Sequence, residues 1–223
     1  LFRNNSHLNI TKFKTWKWSS LVQTDFYKNN KVMLDNPDPS MNGRVYKPYA
    51  IHEAMSSIQN GEFLIYTDTS PEMWSAFNIN TKIDGKKFNT DVLKKMCYNN
   101  NGILTAHVQW NYGVHMAYAE LGHHTHANFT LDRCINKMGL QQYRSSLQHA
   151  SGMWVIQKSP DTTKVIEEWL FWNQIDECAS LGPVTTDATK YSNHAYWKEE
   201  ENNKIGHRHD QSISGLLINK MNN

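Results

Sequence analysis

Residues 61–70, Gly-Glu-Phe-Leu-Ile-Tyr-Thr-Asp-Thr-Ser, constrain this chain more than any other stretch. Phe63, Leu64, Ile65 and Tyr66 form an unbroken apolar run between Asn60-Gly61 and Ser70-Pro71. A run that short, rich in branched and aromatic side chains and closed by turn residues, reads as a strand in a sheet covered on both faces. Asp68 then falls just past its carboxyl end, the edge at which open α/β sheets bind ligands. A carboxylate followed by the hydroxyls of Thr69 and Ser70 offers hard oxygen ligands suited to Mg2+ or Mn2+. Capping of a turn or of the next helix is the competing account of Asp68.

The rest of the chain is that of a folded protein with a full core. Its 223 residues are 39% hydrophobic and 20% charged, which excludes an intrinsically disordered chain. No apolar run approaches bilayer length, and no secretory signal is visible at the start, although Leu1 suggests a chain trimmed at that end. Cys97, Cys134 and Cys178 are few, odd in number and far apart, which argues for free thiols in a reducing, cytoplasmic compartment. The Asn-x-Ser/Thr triplets at Asn4, Asn9 and Asn128 are expected by chance in an Asn-rich chain. A net charge of +2, from 23 basic and 21 acidic residues, is too balanced to predict nucleic acid as a partner. Eight Trp and ten Tyr supply flat surfaces of the kind on which sugars and bases stack.

In chain order, residues 7–13 read as a first strand. Lys12, Lys14 and Lys17 interleave with Phe13, Trp16 and Trp18, as in a base-and-phosphate loop or, equally, as lysines snorkelling beside half-buried aromatics. Residues 20–27 suit a short helix, and residues 31–34 a second strand. A helix over 46–58 starts at a proline-tolerant first turn containing Pro48. Arg44 and Lys47 stand at its positive end, where a cation calls for an anion partner. Residues 82–87 suggest a hairpin or loop, 91–98 a helix capped near Asp91, 103–108 a strand ending at His107, and 130–138 a helix with Thr130 as its cap. A short helix over 141–148, a strand over 151–158 and an amphipathic helix over 161–172 follow. The stretch 181–197 reads as a long loop, the kind that is usually functional.

Two histidine-rich segments stand out. His115, His123, His124 and His126 lack a Cys or Glu at ligand spacing, so a mobile loop near an acceptor is a better reading than zinc. His207-Arg208-His209-Asp210-Gln211-Ser212 precedes a periodic helix bearing Ile213, Leu216, Leu217 and Ile218. Capping explains one acid there, not two imidazoles, a guanidinium and a carboxylate together; that set suits an anion and metal site.

Tyr46-Lys47-Pro48-Tyr49, the stretch from Gly61 to Trp74 and the segment from His207 to Ser212 together resemble nucleotide-sugar-dependent glycosyltransferases of the GT-A fold, nearest to the group that includes the chlorella-virus glycosyltransferase domains. The resemblance covers about residues 45–220. It implies an α/β fold with a central, mixed but mostly parallel sheet flanked by helices on both faces. It also implies a single domain over 1–223, with 1–110 binding the nucleotide sugar and 111–223 facing the acceptor. Asp68-Thr69-Ser70 takes the place of the family's Asp-x-Asp motif, with Ser70 where the second Asp usually stands. Asp68, Ser70 and His209, with His207 as second choice, are then the implied ligands of Mn2+ or Mg2+. Arg44, Lys47, Tyr66, Thr67, Asp68, Thr69, Ser70 and Arg208 would bind the donor, a UDP-linked hexose or deoxyhexose by default. The implied acceptor is a glycan or glycoprotein. An inverting enzyme would use Asp210 or Asp132 as base; a retaining one would set Gln211 or Asp210 near the anomeric carbon. The resemblance also suggests a virus-encoded enzyme acting in a host cytoplasm. A non-catalytic nucleotide-sugar or carbohydrate-binding module, or a metal-dependent hydrolase, is the alternative.

Overall fold

The computed structural model describes residues 10–36, 44–68, 82–83, 86–87, 89–105, 125–179, 207 and 209–223. Mixed α and β elements make up this part. The strands are β1 (Phe63–Thr67), β2 (Lys82–Ile83), β3 (Lys86–Lys87), β4 (Ile103–Leu104) and β5 (Met153–Gln157). β2 and β3 pair as the expected hairpin. β5 lies between β1 and β4 and runs antiparallel to both, with Tyr66 opposite Trp154 and Ile103 opposite Ile156.

That arrangement corrects two expectations for the described strands. Each strand runs antiparallel to its neighbour, so the sheet is small and antiparallel rather than mostly parallel. β1 is half-buried along its length, while the fully covered strand is β5, with Trp154, Val155 and Ile156 buried. An apolar run reports that a strand is covered; it carries no information on the direction of its neighbour.

Helices do cover both faces. Because strand side chains alternate, Leu64, Tyr66, Ile103, Trp154 and Ile156 point to one side and Phe63, Ile65, Leu104 and Val155 to the other. The first side packs on Ile51 and Met55 of the Tyr46–Ser56 helix, Ile166 and Trp169 of the Pro160–Asn173 helix, and Ile213, Leu216 and Leu217 of the Asp210–Asn222 helix. Trp154 and Trp169 stack with ring centroids 4.6 Å apart. The second side packs on Leu93 and Cys97 of the Thr90–Tyr98 helix.

Local chemistry sets the element ends. Ser159 and Thr162 form a capping box ahead of the Pro160–Asn173 helix, with proline in its first turn, a position that needs no amide donor. Asn89 caps the Thr90–Tyr98 helix, its Oδ1 accepting from the Val92 amide at 3.0 Å, and Asp91 lies near that cap in the first turn. The helix expected over 20–27 divides into Trp18–Leu21 and Asp25–Asn29 because Thr24 caps the second. Residues 31–34 form a helical turn, not a strand: Leu34 is buried and Val32 is 93% exposed. Residues 10–13 form no strand, and of 141–148 only Gln141–Tyr143 is helical, as one 3-10 turn.

Candidate functional site

Three segments far apart in sequence meet at one ammonium group. Lys47 lies in the first turn of the Tyr46–Ser56 helix, and its Nζ is 3.3 Å from Asp68 Oδ2, 3.0 Å from Asp210 Oδ2 and 3.2 Å from Ser151 Oγ. Asp68 follows β1, and its amide bonds to the Gly152 carbonyl at 2.8 Å. The β1–β5 register therefore sets Asp68 beside Ser151. Asp210 opens the last helix, anchored by its carbonyl, which accepts the Trp169 indole N–H at 2.9 Å. The anion partner that a cation at a helix start requires is thus supplied from within the chain.

The side chains of Lys47 and Asp210 are 1% and 2% exposed, that of Asp68 35%, so the cluster opens to solvent through Asp68. Burial works against the Lys47 charge, but Asp210 and Asp68 outweigh it and hold the ammonium above its ordinary pKa. Burial likewise opposes the Asp210 charge. Lys47 and Arg44, with a Ser151 hydrogen bond, win and keep that carboxyl below its ordinary value. The Lys47 contact with Asp210 Oδ2 is an ion pair by distance but is not directed as a hydrogen bond. Tyr66 donates its hydroxyl to Asp68 Oδ1 at 2.8 Å, and burial and that carboxylate raise the phenol's pKa. The Thr67 hydroxyl, next along β1 and so on its other face, is buried without a hydrogen bond among the described residues.

Backbone strain flanks this cluster. Arg44 and His209 have φ of 50° and 48°, a region that costs a non-glycine residue about 1–3 kcal/mol and is common at functional sites. His209 is the N-cap position of the last helix but makes no side-chain cap. Its Nδ1 bonds the Ala179 carbonyl at 3.0 Å; that contact places the proton on Nδ1 and the lone pair on Nε2, the orientation seen in metal-ligating imidazoles. His207 differs. Its Nδ1 accepts the Leu131 amide at 3.3 Å and its Nε2 donates to the Cys178 carbonyl at 2.7 Å. Both nitrogens are committed, so its reading as a metal ligand is corrected to a structural one.

Asp132 Oδ1 is held by Arg144 at 2.6 Å at the start of the Asp132–Met138 helix, apart from the Lys47 contacts; the helix-start reading fits it and the base reading does not. Thr69, Ser70, Arg208, His107, His115, His123, His124 and residues 181–197 lie outside the described residues. Among the described residues no three His, Cys, Asp or Glu side chains converge on a metal position, and Lys47 Nζ stands where a cation shared by Asp68 and Asp210 would be. As they stand, these residues do not fit a divalent ion. Of the three aromatics around the first helix, Trp16 alone is half-buried, meeting Tyr49 edge-on at 5.7 Å with Lys14 over its ring, while Phe13 and Trp18 are exposed.

Behind the site runs a buried polar chain that the sequence did not announce. Gln148 Nε2 donates to the Phe129 carbonyl at 3.0 Å, so its Oε1 is free to accept from Gln211 Nε2 at 3.1 Å. Thr130, which is not the N-cap of the Asp132–Met138 helix, joins Gln148 at 2.9 Å and His126 Nδ1 at 2.9 Å. Asn219 donates to the Leu147 carbonyl at 3.0 Å and to His126 Nε2 at 3.3 Å, and its Oδ1 faces His149 Nε2 at 3.3 Å. His149 Nδ1 meets Thr105 Oγ1 at 2.9 Å. Since a backbone carbonyl only accepts, the Asn219 amide is fixed; His126 then carries its proton on Nδ1 and His149 on Nε2. Ser212 donates to the Phe129 carbonyl at 2.8 Å.

Ser151 and Gln148 are the site residues that sequence reasoning missed. Ser151 becomes visible once Asp68 is registered against Gly152; Gln148 has no local signal at all. No protein-family model, curated protein or solved structure matches the chain.

Proposed function

We propose that the chain is a nucleotide-sugar-dependent glycosyltransferase that moves a hexose or deoxyhexose from a nucleoside diphosphate, UDP by default, to a glycan or glycoprotein acceptor. The observation that carries the reading is the meeting of Asp68 and Asp210 on Lys47. It joins the helix start at Lys47, the strand-end carboxylate and the start of the final helix, which belong to the three segments on which the resemblance rests.

The chemistry needs charge stabilisation of the leaving diphosphate and control of the acceptor proton. Exposed Arg44 stands at the rim, close enough to act on Asp210 electrostatically, and is the described cation placed to meet a diphosphate. Asp68, the more exposed carboxylate, would border the donor; because Lys47 already stands where a shared cation would be, no step is assigned to Mn2+ or Mg2+. Lys47 is enclosed and acts by fixing both carboxylates. Asp210 and Gln211, in the first turn of a buried helix, would border the reacting sugar, Asp210 as base or orienting group and Gln211 as an amide held by Gln148.

One observation favours a second reading, a nucleotide-sugar or carbohydrate-binding module: the Asp210 charge is already matched by Lys47 in a buried pair. Incubation with a panel of nucleotide sugars and oligosaccharide acceptors separates the two. Release of nucleoside diphosphate that requires an acceptor supports transfer, release without one indicates hydrolysis, and calorimetric binding without turnover indicates the module. Asp68→Ala is expected to abolish donor binding and to lower stability in urea unfolding, since the buried Lys47 and the Tyr66 hydroxyl each lose a partner. Unchanged donor affinity would remove Asp68 from the site.

A further inference from the structure

We propose that Lys47 is the resident cation of this site, standing in for a divalent ion, so that Mn2+ can share Asp68 and Asp210 only when the ammonium is gone. The proposal rests on the glycosyltransferase reading only in taking Asp68 as the residue a metal would use. Three observations carry it. Lys47 Nζ lies within 3.3 Å of one carboxylate and 3.0 Å of another, with Ser151 Oγ as a third oxygen at 3.2 Å. An ammonium ringed by two carboxylates and a hydroxyl has the donor set of a hard cation site. The side chains of Lys47 and Asp210 are almost wholly enclosed, so the ammonium, not solvent, meets the Asp210 charge. Asp68 Oδ1 is engaged separately by Tyr66, which leaves Oδ2 as the oxygen Lys47 and a metal would contest.

Two like-charged carboxylates brought together without Lys47 need a replacement cation, because an uncompensated buried charge is strongly unfavourable. Lys47→Met keeps the packed stem and deletes the charge. In metal-free buffer this variant is expected to melt well below the wild type. Adding MnCl2 alone should restore much of that loss by binding the folded state, while the wild-type melting temperature stays put. Mn2+ titrations followed by electron paramagnetic resonance should show about tenfold or greater tightening in Lys47→Met, and Asp68→Asn in the same background should cancel it. The double variant Lys47→Met/Asp210→Asn carries no buried uncompensated charge and is expected to fold without metal, with no response to MnCl2. If Mn2+ neither raises the melting temperature of Lys47→Met nor binds it more tightly than the wild type, the proposal is wrong. It is equally wrong if Lys47→Met stays unfolded with MnCl2 while the double variant folds. No nucleotide sugar enters these measurements, so they stand or fall separately from glycosyl transfer.

Discussion

Lys47 places a full charge at a position where water cannot reach it, and two carboxylates make that tolerable. Removing one partner of a buried pair is costly, about 3–5 kcal/mol, whereas replacing both is often near neutral. Lys47→Met and Asp210→Asn should therefore each destabilise strongly in metal-free urea titrations, and the double variant should recover most of the loss. A double variant as unstable as the sum of the singles would show that the two groups do not interact. The same pair sets a pH window. Asp210 is held below its ordinary value, so its contribution is present above the unfolded pKa of about 3.9 and disappears as pH falls through the lower folded value. Lys47 is held above its ordinary value. Its contribution is complete below about 10.4 and is lost as pH rises through the folded pKa. Urea midpoints between pH 2 and 12 should show a plateau bounded by those two flanks, and Lys47→Met/Asp210→Asn should flatten both.

The Asp210–Asn222 helix is the element through which the site is held. Its buried face runs from Asp210 to Ile218, mixing apolar residues with the polar chain through Gln211, Ser212 and Asn219. Gly215 makes that packing feasible. A Cβ there would lie 2.8 Å from His126 Cε1 and 3.2 Å from the His149 backbone nitrogen. The imidazole is itself fixed by Thr130 and Asn219, and the backbone cannot yield cheaply. Gly215→Ala gains about 1 kcal/mol of helix propensity against an overpacking cost of about 1–3 kcal/mol. A net loss of stability is expected in urea unfolding; a stabilised variant would mean that the helix shifts away from His126 and His149 freely.

At the scale of the molecule, the helices on both sheet faces enclose all three thiols. Cys97, Cys134 and Cys178 are free and buried. Burial, against two weaker hydrogen bonds from the backbone, pushes the Cys97 thiol up to about 11, and burial beside Cys178 raises Cys134 as well. Protonated, enclosed thiols are poor nucleophiles. Native protein at pH 8 should show negligible reaction with an aromatic disulfide reagent over minutes, and three equivalents should react in urea. Rapid labelling of Cys97 alone would show that the Thr90–Tyr98 helix opens independently of the rest.

By itself the sequence determined the elements whose signals are local. The run at Phe63–Thr67, the Gly-turned hairpin, and the amphipathic helices at Tyr46–Ser56, Pro160–Asn173 and Asp210–Asn222 follow from periodicity, proline and caps, which neighbouring residues encode. It also marked Asp68, Lys47 and Asp210, since a strand-end acid, a cation at a helix start and an acid in a histidine-rich turn each break a local rule. Local rules failed where burial depended on distant chain: Val32, Met33 and Leu34 suit a strand or a helical turn equally, and His126 and His207 gave no sign that backbone and side-chain partners would occupy both their nitrogens. Strand direction, the pairing of Lys47 with two carboxylates rather than with a bound anion, and the path from Gln211 to Thr105 were decided only by tertiary structure. Each depends on which segments, more than a hundred residues apart in part, come within about 3 Å of one another, and that distance is a property of the packed core.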